Sequence, residues 1–192
     1  MRKVLAVVAV AMLGAASAAQ AQETGVSLSA RAGYAFPMGE AGDGVDLGDL
    51  VDGNIPLGIE LGYRFAPNLE IGGYFEYGWA READEVSAVG VDVTTMRLGA
   101  QLNYLLAPEA DLNPYLGVGF GWTQLEADFG LGDDSVSGFD FTLQGGAQWK
   151  VAPAMSVGPY AALIVGQFND SDIDDKGWHE WLQVGLRGTF VF

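Results

Sequence analysis

Three groups of residues have the types and spacing to do chemistry. The first is an acidic run. Asp170, Asp172 and Asp174 alternate with Ser171 and Ile173, which is how a calcium loop opens. The glycine such a loop needs next is Asp175, and its bidentate twelfth-position Glu is Trp181. The run departs from an EF-hand, so a solvated, self-repelling loop is expected. Asp170, Asp172, Asp174 and Asp175 remain weak metal candidates. The second is His179, the one histidine, beside Glu180 at a loop–strand junction. A general base needs a nucleophile, and the nearest serine is Ser171, inside the loop. A rim histidine with no catalytic role is expected, and no cofactor. Gly117-Val118-Gly119 sits within a strand rather than a phosphate-binding turn, so its glycines are expected to make room.

The third group is larger and more regular. Arg31, Glu60, Arg64, Glu70, Glu76, Arg97, Asp140, Lys150 and Arg187 all fall on the polar side of alternating segments. Cations and anions nearly balance on that side. Unpaired charge in a confined space is too costly, so this set predicts an internal ion-pair network.

Composition narrows what could carry such a set. The chain has 192 residues, 28 glycines, no cysteine and a net charge of −16. Absence of cysteine excludes disulfides and thiolate chemistry. The acidic balance argues against nucleic acid, whose binding needs lysine and arginine. A hydrophobic fraction of 49% is too high for disorder.

Met1-Arg2-Lys3 is a basic start, Val4 to Ala16 is apolar, and Ala19-Gln20-Ala21 offers a cleavage site. This layout predicts a signal peptide over 1–21, with the mature domain over 22–192. Later apolar runs are too short for a spanning helix.

From Val26 onward the period is two. Segments near 26–36, 57–65, 69–79, 96–104, 116–122, 139–149, 155–168 and 182–192 alternate apolar with small or polar residues. They predict eight strands. Three connections are short and carry Ala-Pro: Ala66-Pro67-Asn68, Leu106-Ala107-Pro108-Glu109 and Ala152-Pro153-Ala154. The other four, Pro37 to Asn54, Ala80 to Gly90, Glu126 to Gly138 and Asn169 to Glu180, are long and acidic. Tight turns at one end and long loops at the other predict an antiparallel up-and-down barrel. Two stretches break phase. Val91, Val93 and Thr95 call for a bulge near Thr95 or an extension above the membrane. In 155–168 the odd positions fit the outward face, which sends Tyr160 and Ile164 inward; the phase there stays open.

The large residues lie on one face and glycine, serine, threonine, glutamine and asparagine on the other. Large outside and small inside suits a narrow eight-stranded barrel in lipid. Tyr34, Phe36, Tyr63, Phe65, Tyr77, Trp79, Tyr104, Trp122 and Trp149 lie near strand ends, as an interfacial girdle would.

The leader, the eight alternating strands, the Ala-Pro turns and the ending Thr189-Phe190-Val191-Phe192 resemble the small OmpA/OmpX-like outer-membrane β-barrel proteins of Gram-negative bacteria. The resemblance covers 26–192. It implies a bacterial outer-membrane location, contact with outer-membrane lipids and lipopolysaccharide, and an assembly signal at Phe190 and Phe192 for the outer-membrane assembly machinery. Mg²⁺ at the acidic loop could bridge to lipopolysaccharide phosphates. The larger members' periplasmic domain is not expected, since the sequence ends at the eighth strand. Fold alone does not fix function. A non-enzymatic structural, adhesion or surface-interaction protein is the first expectation, with an external surface ligand as a further partner. A small passive pore is the alternative, kept open by luminal glycines such as Gly58, Gly62, Gly72, Gly99, Gly119, Gly146 and Gly185. The close His–Ser pair of lipid-A deacylase barrels is absent here, which makes a lipid-modifying enzyme a lesser expectation. A soluble ligand-binding barrel is another.

Overall fold

A computed structural model describes residues 24–42, 45–46, 48, 51–66, 68–82, 92–128, 133–168 and 178–192. The expected leader over 1–21 and the metal candidates Asp170, Asp172, Asp174 and Asp175 lie outside the described residues, as does Val91.

Eight long strands form the wall: β1 (Gly25–Gly42), β3 (Val51–Ala66), β4 (Leu69–Glu82), β5 (Asp92–Leu105), β6 (Leu112–Asp128), β7 (Asp133–Ala152), β8 (Met155–Phe168) and β9 (Trp178–Val191). A two-residue strand, β2 (Val45–Asp46), pairs back onto the end of β1. Each wall strand pairs antiparallel with its sequence neighbour, and β9 returns to β1 from Ser27↔Val191 to Gly39↔His179. The sheet therefore closes into an eight-stranded barrel with no free edge along the wall. Closure satisfies the backbone groups internally, which a strand in hydrocarbon requires.

Sequence alternation becomes an inside and an outside. Outward side chains are apolar and uncovered: Leu61 is 62% exposed, Phe141 66% and Leu186 61%. Inward ones are polar and buried, among them Ser27, Ser29, Gln101, Thr142 and Gln183. Such a surface is stable only against lipid, since a water-soluble protein rarely leaves so large an apolar patch open.

The short-turn end is held by backbone bonds. Leu105 N donates to Asn68 O at 2.7 Å, and Asn68 Nδ2 donates back to Leu105 O at 2.7 Å. Ala110 N donates to Ala107 O at 3.0 Å, closing the turn that carries Pro108. At the other end the strands outrun the sequence expectation. β6 and β7 stay paired to Asp128↔Asp133, and β1 reaches Gly42. At roughly 3.4 Å per residue, the 20 residues of β7 exceed an apolar band ~25 Å tall even when tilted. Acidic residues expected in loops, such as Glu40, Asp52, Glu82, Glu126 and Glu180, therefore stand on strands that continue past the apolar band.

Both phase breaks resolve without a bulge. β5 pairs with β4 and β6 in unbroken register through Thr95, and Val93 and Thr95 face inward with Arg97. In β8 the odd positions face out, while Tyr160, Ala162 and Ile164 are buried inside. Ile164 packs with Ala35 and Trp181 in a small apolar cluster toward the long-loop end.

Candidate functional site: the barrel lumen

The inward positions of six strands place charges in a narrow column. Arg31 comes from β1, Glu60 and Arg64 from β3, Glu70 and Glu76 from β4, Arg97 from β5, Asp140 from β7 and Arg187 from β9. They join end to end. Arg64 contacts Glu70 at 3.2 Å, Glu70 contacts Arg187 at 3.3 Å, and Arg187 contacts Glu60 at 2.6 Å. Glu60 meets Arg31 at 3.4 Å, Arg31 meets Glu76 at 3.0 Å, and Glu76 meets Arg97 at 3.2 Å. Arg97 ends the chain on Asp140 at 2.7 Å. Four cations alternate with four anions, so each internal member touches two opposite charges. Alternation lets the Coulombic gain offset the desolvation that burial imposes on every one of them.

Neutral side chains complete the column. Thr123 Oγ1 donates to Asp140, and Arg97 Nη2 donates to Thr142 Oγ1 at 2.9 Å. Gln101 Nε2 donates to Glu60 at 2.7 Å and Gln183 Nε2 to Glu76 at 3.0 Å. Gln144 Nε2 reaches both Gln101 and Asn103. Three tyrosines stack on the guanidinium groups: Tyr74 lies 5.2 Å from Arg31 and 5.4 Å from Arg97, Tyr160 5.9 Å from Arg31, and Tyr115 5.1 Å from Arg187. Cation–π contact adds attraction where water is excluded.

Some of the luminal glycines make room for these large groups. A Cβ at Gly99 would meet the Tyr74 hydroxyl at 2.6 Å, and one at Gly146 would meet the Tyr115 ring at 2.8 Å. Their missing side chains are occupied by tyrosine. A void beside Glu76, Arg97 and Trp181 measures about 20 Å³, room for about one water.

One expected member lies elsewhere. Lys150 has the inward parity but stands exposed at the short-turn mouth, with no ion pair among the described residues. Parity sets the face and not the height, and Lys150 is too near the end of β7 to reach the column. His179 is not a rim group: it is fully buried, stacked on Phe168 at 4.0 Å, and neither ring nitrogen has a hydrogen-bond partner among the described residues. Its ring fills the space beside Gly166, which has no side chain of its own. Among the described residues, no group of three or more His, Asp or Glu is placed to hold a metal.

The aromatic residues fall toward both strand ends. Tyr63, Phe65, Tyr104 and Trp149 are half exposed near the short turns. Phe36 and Trp79 are exposed on the long-loop side, and Tyr34, Tyr77 and Trp122 there are partly covered. Phe190 is only 4% exposed, edge-on to the Phe192 ring at 4.7 Å, whereas Phe192 is 47% exposed. Tyr115, Tyr160, Gln144 and Gln183 are luminal groups that charge balance alone did not reveal. Tyr115 was findable because it shares parity with Gly117, Gly119 and Gly121.

Residues 5–190 match the family described as outer membrane protein beta-barrel domain. No curated protein matches the sequence at a significant level. Among solved structures the barrel is similar to Neisserial surface protein A, at a TM-score of 0.63 and 14% identity, covering 89% of this chain and 98% of that one. It is also similar to the outer membrane protein OprG from Pseudomonas aeruginosa, at 0.52 and 12%, covering 91% and 100%. A third is the outer membrane protein AlkL in lipid bilayers, at 0.52 and 15%, covering 92% and 93%. At such identities these structures share the fold. Closed antiparallel wall, lipid-facing exterior and family match together establish that the chain belongs to the outer membrane protein beta-barrel domain family and resides in the bacterial outer membrane.

Proposed function

We propose that this protein is a non-enzymatic, non-conducting outer-membrane barrel that presents acidic hairpins at the cell surface. The observation that carries the reading is the unbroken charge chain from Arg64 to Asp140, which ties strands from around the barrel across the lumen. An open pore would need a water path past this column, and the space beside the luminal glycines is taken by Tyr74 at Gly99 and Gly121, Tyr115 at Gly146, Arg31 at Gly58 and Asn103 at Gly117. His179, the one histidine a lipid-modifying enzyme would have to use, is buried inside the barrel and away from the lipid face. The working part is then the outer rim, where strands rise beyond the apolar band and carry Glu40, Asp52, Glu82, Glu126 and Glu180. This rim suits contact with a cationic surface ligand, or with lipopolysaccharide phosphates where Mg²⁺ bridges the two sets of anions. In the same reading, 1–21 is the cleaved export signal and Phe190 with Phe192 is the assembly signal. Planar-bilayer recording tests the closed lumen: purified protein should give no steady openings, and a reproducible unit conductance would overturn it in favour of a passive pore.

A further inference from the structure

We propose that the short-turn mouth of the barrel is a binding site for short peptides with free ammonium and carboxylate ends. A cavity of about 380 Å³ opens there. Its lining includes Lys150, Arg64, Glu109, Asn113, Gln148 and Ser156. That volume falls in the range of small-molecule sites, roughly 300–1,000 Å³.

The charges of this mouth are not used up by the fold. Deeper in the lumen four cations and four anions already pair, and Arg64 is the terminal member, held by Glu70 and 12% exposed. Lys150 lies outside that chain. Glu109, on the β5–β6 turn, lines the same cavity, yet no ion pair joins it to Lys150. Lys150 and Glu109, opposite charges with no ion pair among the described residues, flank one cavity and match a ligand that carries both signs. Its carboxylate would sit by Lys150 and the outer edge of Arg64, and its ammonium by Glu109. Glu109 also disfavours a dianion such as phosphate.

The cavity is built in advance. Lys150 N donates to Asp111 O at 2.8 Å, which fixes the end of β7 against the β5–β6 turn. Asn113 Oδ1 accepts from Ala107 N at 3.1 Å. Gln148 Nε2 donates to Thr189 at 2.9 Å, and Ser156 Oγ donates to Gln148 Oε1 at 3.1 Å. Pro108 and Pro153 lock φ in two of the turns that form the walls. A preformed mouth loses little ordering entropy on binding. Short turns face the periplasm in such barrels, so the ligand would come from that side. The proposal goes beyond the closed-lumen reading and stands whether or not the lumen conducts.

The test is an NMR titration of the full-length barrel in micelles with alanyl-alanine, its N-acetyl form, its C-terminal amide, and inorganic phosphate. Saturable shifts at Ala110, Ser156 and Val191 are expected with alanyl-alanine. Either capped form should bind about tenfold or more weakly, and so should alanyl-alanine with Lys150→Gln. Glu109→Gln should abolish the difference between the free and N-acetylated peptide. Both substituted residues are exposed, and an unchanged amide spectrum elsewhere shows that each variant is folded. No saturable shift with alanyl-alanine would overturn the site. So would equal binding of phosphate, or a Lys150→Gln variant that binds like the parent.

Discussion

Arg97→Met tests the luminal chain where it is most constrained. Arg97 donates to both Asp140 oxygens at 2.7 and 3.3 Å, to Glu76 at 3.2 Å, to Thr142 at 2.9 Å and to Tyr74 at 3.4 Å. Glu76 keeps Arg31 and Gln183 after the substitution. Asp140 does not fare as well. It is fully buried, and its remaining partners are the Thr123 and Thr142 hydroxyls. An uncompensated buried carboxylate costs about 3–5 kcal/mol. The contrast is Arg64→Met at the open end, where Glu70 retains Arg187 at 3.3 Å and the guanidinium is partly wet. That variant should lose about 1 kcal/mol or less. Urea unfolding in lipid vesicles, followed by tryptophan fluorescence, measures both. Adding Asp140→Asn to Arg97→Met removes the stranded charge and should restore at least half of the loss. If Arg97→Met falls within about 1 kcal/mol of Arg64→Met, the chain is not what locks the barrel.

Three further outcomes follow from packing and surface. Gly158→Ala should destabilise by about 1–3 kcal/mol in the same unfolding assay, because its Cβ would run into the β7 backbone at Ala147 and Gln148; Gly188→Ala, whose nearest such atom is 4.0 Å away, should stay within about 0.5 kcal/mol. His179→Phe should raise the urea midpoint, since it keeps the stack on Phe168 and removes two buried ring nitrogens that have no partner among the described residues. Phe141→Arg, on the lipid face near the middle of the apolar band, should cost about 2–4 kcal/mol of vesicle-embedded stability, against almost none for Lys150→Gln at the wet mouth.

Period-two alternation carried most of the architecture, because in a barrel wall parity alone decides between lipid and lumen. The same parity put Arg31, Glu60, Arg64, Glu70, Glu76, Arg97, Asp140 and Arg187 on one inner face. It gave no height along the barrel axis, so it grouped Lys150 with them although Lys150 sits at the mouth. β8 was harder because its inner face is partly apolar: Tyr160 stacks on Arg31, and Ile164 fills a cluster with Ala35 and Trp181. Hydropathy cannot tell such a face from one that meets lipid. The acidic hairpins hid their strands for the opposite reason. Above the membrane both faces of β6 and β7 can meet water, so Glu126, Asp128 and Asp133 remain in register with no alternation to mark them. His179 resembled a loop-end residue because the length of β9 beyond the apolar band was not encoded in hydrophobicity.

The most direct test of the charge chain is the hydrogen exchange of its arginine side chains, read by NMR on the labelled barrel. Arg97 Nε donates to Asp140 at 3.3 Å and Arg187 Nε to Glu60 at 3.0 Å, both buried beneath tyrosine rings. Their Nε protons should persist long after those of an exposed arginine have exchanged. Rapid exchange at both sites would mean that water moves freely through the lumen, and the ion-paired, closed barrel would be contradicted.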